Sequence, residues 1–275
     1  MPPTRQQTSV DTQGLVRHVA VCAIIFAYMR DELTKVLVSE GAGLVGFADL
    51  RGIPSDVRQS FPFAVSIAVP LDPRIVFGIR NGPTVDYWEE YKRVNAVLMQ
   101  LAGLATEFLL EAGHAAKPLV PTIMNYDPTV NSRVSYVPET MSTALPHKTA
   151  ATLSGLGWIG KCALLVTREF GSALRLTTVL TDANDLHLGK PVDKSRCGNC
   201  TRCVDTCPGH APSGRIWEAG MERQDFFDAF ACRDAALDQA AAIGVHDTIC
   251  GRCIAACRRT RRYLRRAGLP VRDMP

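Results

Sequence analysis

Apolar positions along the chain switch between two periods. Leu33, Val36 and Leu37 fall on one face of a predicted helix from Asp31 to Glu40, with Gly41 as its stop. Two short apolar runs, Leu44 to Ala48 and Ala64 to Val69, are bounded by Gly and Pro and read as buried strands. Pro83-Thr84 opens a long helix to about Ala112, ended by Gly113. Its stripe of Tyr87, Tyr91, Val94, Leu98, Leu101 and Phe108 has helical spacing, and these aromatics read as helix core rather than as a cofactor box. Residues 121–146 hold four prolines and no clear period, which predicts a loop region. A helix from His147 to Leu153 follows. Cys162 to Thr167 and Ala173 to Leu180 then read as two strands joined by a turn at Phe170-Gly171. Strands mixed with helices up to about residue 190 predict an α/β or α+β domain.

Composition narrows the class. At 47% hydrophobic and 21% charged the chain is not a disordered one. The apolar run Val19 to Met29 has eleven residues, short of the roughly 20 that a spanning helix needs. Residues 1–28 carry Arg5 and Arg17 ahead of that run but no small-residue cleavage site after it. They read as an extension rather than a secretory signal. The net charge is +4, yet six arginines (Arg258, Arg259, Arg261, Arg262, Arg265, Arg266) crowd into nine residues. Without them 25 basic residues face 27 acidic ones, so the basic character is local.

Chemistry concentrates in the cysteines. Eight of the ten lie between Cys197 and Cys257. The run Cys197-x-x-Cys200-x-x-Cys203-x-x-x-Cys207-Pro208 has the spacing of a bacterial ferredoxin [4Fe–4S] motif, whose fourth cysteine ligates the other cluster. Cys250-x-x-Cys253-x-x-x-Cys257 supplies the rear of a second copy, with Asp247 where its first cysteine would stand. Cys232 is the remaining nearby thiol and is inferred to fill that gap. One cluster then takes Cys197, Cys200, Cys203 and Cys257, and the other Cys207, Cys232, Cys250 and Cys253. Two zinc sites built on the C-x-x-C pairs are the competing reading. Cys22 and Cys162 fall outside the motif and read as ordinary buried small residues. Clustered thiols built for metal fit a reducing cytoplasm.

The segment His147-Lys148-Thr149 through Ser154-Gly155-Leu156-Gly157-Trp158-Ile159-Gly160-Lys161, then Gly171-Ser172 and the eight cysteines, resembles the epoxyqueuosine reductase family, itself related to reductive dehalogenases. The resemblance covers roughly residues 30–260 and points to a short, divergent branch. It implies a nitroreductase-like, cobalamin-binding domain over 30–190 and a ferredoxin-like domain with two [4Fe–4S] clusters over 191–260, followed by a basic tail, 261–275. It also implies single electrons passing through the clusters to a corrinoid, or alternatively a flavin, for a reductive reaction. Reduced ferredoxin or flavodoxin would be the donor. The sequence departs from the family where an acidic proton donor is expected, in Met141-Ser142-Thr143-Ala144-Leu145-Pro146-His147. The proline usual after the last cluster cysteine is replaced by Arg258.

Several residues stand out around this motif. By the same resemblance Gly155, Gly157, Trp158, Gly160 and Lys161 are expected against the cobalamin or the inner cluster, and glycine lets backbone approach a ligand closely. His147 is the acid/base candidate, with an ordinary pKa near 6.5 suited to proton donation. Tyr126, Asp127 and Tyr136 lie in the proline-rich loop, and His114 reads as surface. The arginine run predicts a solvated helix end, an acidic protein partner or nucleic acid, in that order. The reading is a cytoplasmic oxidoreductase. Its alternative is an electron-transfer or reductive-activation protein with no substrate of its own, serving a corrinoid-protein client.

Overall fold

The structure is a computed structural model and describes residues 29–121, 136–137, 139–184 and 186–272. Cys22, Tyr126, Asp127 and the extension 1–28 lie outside the described residues. The first helix, α1 (residues 29–39), buries Leu33 and Leu37 on one face and ends at Gly41, whose φ of +107° suits glycine. Strands β1 (Leu44–Asp49) and β2 (Phe63–Pro70) form an antiparallel pair in which Leu44 faces Ala68 and Asp49 faces Phe63. The short helix α2 (Pro73–Gly78) is capped by the Asp72 carboxylate, which accepts from the N–H groups of Arg74 and Ile75.

Helix α3 (Val85–Glu111) starts where its cap chemistry dictates, with the Thr84 hydroxyl accepting from the Tyr87 N–H. By length and composition alone it is apolar enough to cross a membrane, but its Tyr87–Val94–Leu98–Leu101–Ala105 face is buried against the sheet. Strand β3 (Ala116–Leu119) follows. The loop region contributes a two-stranded ribbon, β4 (Tyr136–Val137) with β5 (Ser142–Thr143). Helix α4 (His147–Leu153) occupies its expected span.

The next strands differ from expectation. The apolar segment after Cys162 yields only β7 (Leu165–Val166), and it pairs with β6 (Trp158–Ile159). Strand β8 (Leu174–Thr181) instead inserts between β2 and β3, giving an antiparallel sheet of order β1-β2-β8-β3. The Phe170-Gly171 turn is present, but it is closed by a single Thr167–Gly171 bridge rather than a hairpin. Both faces of β2 are covered. Val65, Ile67 and Val69 join the core under α3, while Ala64 and Ala68 face Ala150 and Ala151 of α4. The result is a mixed α+β arrangement with the sheet as its middle layer.

The cysteine segment carries α5 (Arg202–Asp205), α6 (Ala229–Ala241), α7 (Arg252–Ala256) and α8 (Arg258–Arg266). Its apolar residues Val245, Ile249, Ala255, Leu264 and Val271 belong to the same core as the sheet and α3. Polar ties reinforce that joint. Trp88 Nε1 donates to the Asp247 carboxylate at 2.5 Å, and the Tyr263 hydroxyl donates to the Leu71 carbonyl at 2.9 Å. Gly251 is a close-approach glycine: a Cβ there would stand 2.5 Å from Ile79 Cδ1 and 2.8 Å from the Tyr87 ring, at a φ of +79°. The residues expected as a basic tail begin within α8, whose inner face buries Thr260, Arg261 and Leu264. Arg261 is itself structural, donating to the Val271 carbonyl at 2.6 Å.

Candidate functional site

Three short helices and their caps position the thiols. Cys203 lies on α5, Cys232 on α6 and Cys253 on α7, and α5 packs against α7. The eight motif cysteines are all half-buried free thiols. Cys207, Cys232, Cys250 and Cys253 line one cavity of about 1490 Å³. Cys232 is close enough to Cys207 and Cys250 to feel both; burial first, then those neighbours, push its thiol up to about 11. Among the described residues no three His, Cys, Asp or Glu side chains converge closely enough to hold one metal ion.

Cys257 caps α8 at its N-terminus. Burial pushes its thiol above the ordinary range, opposed by hydrogen bonds from the N–H groups of Thr260 and Arg259 and from the Ser172 and Thr260 hydroxyls. These donors suit an anionic sulfur. Lys161, 5% exposed, contributes its charge at Cys203. Cys162 is buried, as expected, but it is not remote from the motif. Its thiol hydrogen-bonds those of Cys203 and Cys253 and lies near Cys257, and it also lines the cavity. Its position outside the repeat hid this; only the fold brings it to the thiols.

The glycine loop keeps clear of the cavity wall. Gly155, Gly157, Trp158, Gly160 and Lys161 do not line the cavity; from that stretch only Ile159 does. Its tightness has a packing cause. A Cβ on Gly157 would meet the Val166 carbonyl at 2.3 Å, and one on Gly155 the Lys190 carbonyl at 2.7 Å, at a φ of +80°. The loop therefore packs on backbone, and Lys161 faces the Cys203 side. Arg196 and Arg259 each lie over the Trp158 ring, at 5.9 and 5.5 Å from its centroid.

His147 lines the cavity but does not suit proton donation. Its Nε2 lies 2.9 Å from the Val120 carbonyl and its Nδ1 2.9 Å from the Thr178 hydroxyl, so the neutral ring donates through Nε2 and accepts through Nδ1. Burial pulls its pKa down to about 4, which keeps it neutral at pH 7. Its neighbour is the better proton holder. Burial, with the Arg223 guanidinium nearby, pulls the Lys148 ammonium down to about 8, and Nζ donates to the Ala163 carbonyl at 2.8 Å. His114, expected on the surface, lies 3.7 Å from the Asp182 carboxylate and is partly covered.

Two helix-core aromatics turn out to be cavity wall as well. Tyr87 and Tyr91 line it, and the Arg175 guanidinium lies 3.4 Å over the Tyr91 ring while its Nε donates to Asn95 at 2.6 Å. Arg252 also lines the cavity, and its buried Nε has no partner among the described residues. An orphaned buried donor of this kind suits an acceptor on a bound molecule. The segment where the family's proton donor is expected does reach the cavity, through Thr140 to Ala144, and carries no carboxylate there.

No protein-family model matches the chain. A stretch of 71 residues is 45% identical to an epoxyqueuosine reductase of Lactococcus garvieae, covering 26% of this chain and 20% of that protein. The chain spans between 20% and 28% of the length of the first curated relatives it matches. In three dimensions it is similar to an epoxyqueuosine reductase from Bacillus subtilis, with a TM-score of 0.56 and 17% identity over 86% of this chain and 66% of that one. It is also similar to a reductive dehalogenase for which a B12-dependent mechanism is described, with a TM-score of 0.58 and 17% identity over 85% of this chain and 32% of that one. The fold is therefore that shared by these two groups of reductases. The sequence relatives are epoxyqueuosine reductases, and over the matched stretches the chain resembles that family.

Proposed function

We propose that the chain is a two-cluster iron–sulfur reductase whose cavity receives a corrinoid-type cofactor. The observation that carries this reading is the shared lining: four thiols assigned to one cluster open onto the same cavity as Tyr87, Tyr91 and Arg252. Several facts support the parts. The run from Cys197 to Cys207-Pro208 has the spacing of a [4Fe–4S] motif, and its last, three-residue step is not needed to hold zinc. Ligand pockets usually measure about 300–1,000 Å³. A cavity of about 1490 Å³ leaves room for a large cofactor beside these thiols. The tyrosines would flank such a ring and Arg252 Nε would donate to a polar substituent.

When bound, a corrinoid supplies reductive bond chemistry at its metal. The chain's own residues do the rest. Its thiols hold the clusters and set their separation. Lys148 Nζ keeps a proton that is labile near neutral pH, the role expected of the missing carboxylate. His147, held neutral between Val120 and Thr178, ties α4 to the sheet edge and shapes the wall.

Anaerobic purification followed by iron and cobalt analysis tests the reading. About eight irons per chain with retained corrinoid support it. About eight irons with no affinity for a corrinoid or flavin transfer the function to an electron carrier acting on a client. About four irons or fewer in intact protein break the ligand assignment.

A further inference from the structure

We propose that α8 and the loops around the first thiol set form the docking surface for an acidic one-electron carrier protein, of flavodoxin or ferredoxin type. This deepens the function proposed above and rests on it. The six arginines of α8 do not all have a structural explanation. Arg261 is buried and bonded to Val271. Arg265 and Arg266 occupy the last turn, where cations complement the helix dipole. Arg258 and Arg259 sit in the first turn, where they oppose it, and no acidic residue accompanies them. Like charges four apart, such as Arg258 with Arg262, are also unfavourable.

Three exposed arginines share a face. Arg258, Arg262 and Arg265 follow i, i+4, i+7 spacing and are all exposed. Among the described residues neither they nor Arg259 pairs with a carboxylate. Exposed Arg196 and Arg202 flank Cys197 and Cys203 and extend the same positive field; burial first, then the Arg202 charge, lowers the Arg261 pKa. Nearby, the Asp205 carboxylate is engaged by Thr201 and the Glu169 carbonyl accepts from Arg266.

Position selects the partner. Cys257 directly precedes α8, and Cys197, Cys200, Cys203 and Cys257 are the thiols that do not line the cavity. An electron bound for the cavity through both clusters therefore enters at this set, the one away from the cavity. A carrier held on α8 would sit against it. A nucleic acid gripped by α8 would instead be held on residues that contribute nothing to the cavity lining. The reaction balances simply: the reduced carrier loses one electron, the first cluster gains it, and no bond forms or breaks.

The test mixes iron-loaded protein anaerobically with photoreduced flavodoxin and follows cluster bleaching by stopped flow. The expected second-order rate falls at least tenfold in the Arg262→Glu/Arg265→Glu protein and falls similarly for the wild type as salt rises. The Arg262→Lys/Arg265→Lys protein keeps the wild-type rate, and dithionite bleaches all three alike. A charge-reversed protein reduced as fast by flavodoxin as the wild type overturns the proposal. So does a wild-type rate indifferent to salt, or tight tRNA binding that blocks reduction. Failure of dithionite to bleach any of them, with iron low, overturns the cluster reading itself.

Discussion

Gly171 tests the joint between the sheet and the last thiol. It lies in the turn before β8 at a φ of +63°, and a Cβ added there would stand 2.1 Å from Thr260 N and 2.5 Å from Thr260 Oγ1. Ordinary contact begins at 3.4 Å, so the first turn of α8 would have to retreat by more than an ångström. The obstacle is backbone and cannot rotate away. Alanine in the left-handed region costs about 1–2 kcal/mol, and overpacking against a rigid neighbour adds about 1–3 kcal/mol. The bond from Ser172 N–H to Thr260 Oγ1, 3.0 Å, would also stretch. Gly171→Ala should therefore lose about 2–5 kcal/mol, which lowers Tm by roughly 5–15 °C in a chain of this size. The control is the same substitution at Gly103 inside α3, where a Cβ meets nothing within 4 Å. There alanine should gain about 0.5–1 kcal/mol and raise Tm slightly. Anaerobic thermal unfolding at one scan rate reads both. A Gly171→Ala protein melting within about 1 °C of wild type would refute the argument, because the close approach would then be absent.

Cys232→Ala and Cys257→Ala should each leave about four irons per chain after reconstitution, while Cys162→Ala should retain about eight; loss of iron from the last would move Cys162 into a ligand set. Lys148 should react with an amine-directed reagent with a midpoint near pH 8, read by mass spectrometry. A midpoint matching that of exposed Lys35 would remove it as the proton holder. His147 has a folded pKa near 4, below its ordinary 6.5, so the unfolded chain binds the extra proton between those values. Its contribution to stability is complete above pH 6.5 and is lost as pH falls toward 4. His147→Gln should flatten that part of a Tm–pH curve, and an unchanged slope there would contradict the burial.

Local patterning carried much of the fold. The span of α4, the cap and stripe of α3 and the strands β1 and β2 follow from period, caps and breakers within each segment. The partner of β8 does not, because strand order depends on contacts between residues far apart, such as Ala64 with Leu180. The same limit governs the site. Cysteine spacing announces the thiol sets, since the ligands of a cluster are drawn from short local runs. Nothing local announces that Tyr87, Tyr91 and Cys162 meet the same cavity. Glycine density in Gly155–Gly160 has a packing cause, because close approach to a backbone carbonyl and to a ligand require the same residue. His147 shows the inverse case: its type suggests acid chemistry, and burial between two partners removes it.

The most direct test of the central claim is electron paramagnetic resonance of the iron-loaded chain, reduced and supplied with cob(II)alamin. If the second cluster opens onto the corrinoid cavity, the two unpaired spins interact and the spectrum is split and broadened. That interaction disappears in Cys232→Ala. A spectrum that is the plain sum of an unperturbed cluster and free cob(II)alamin would contradict the account.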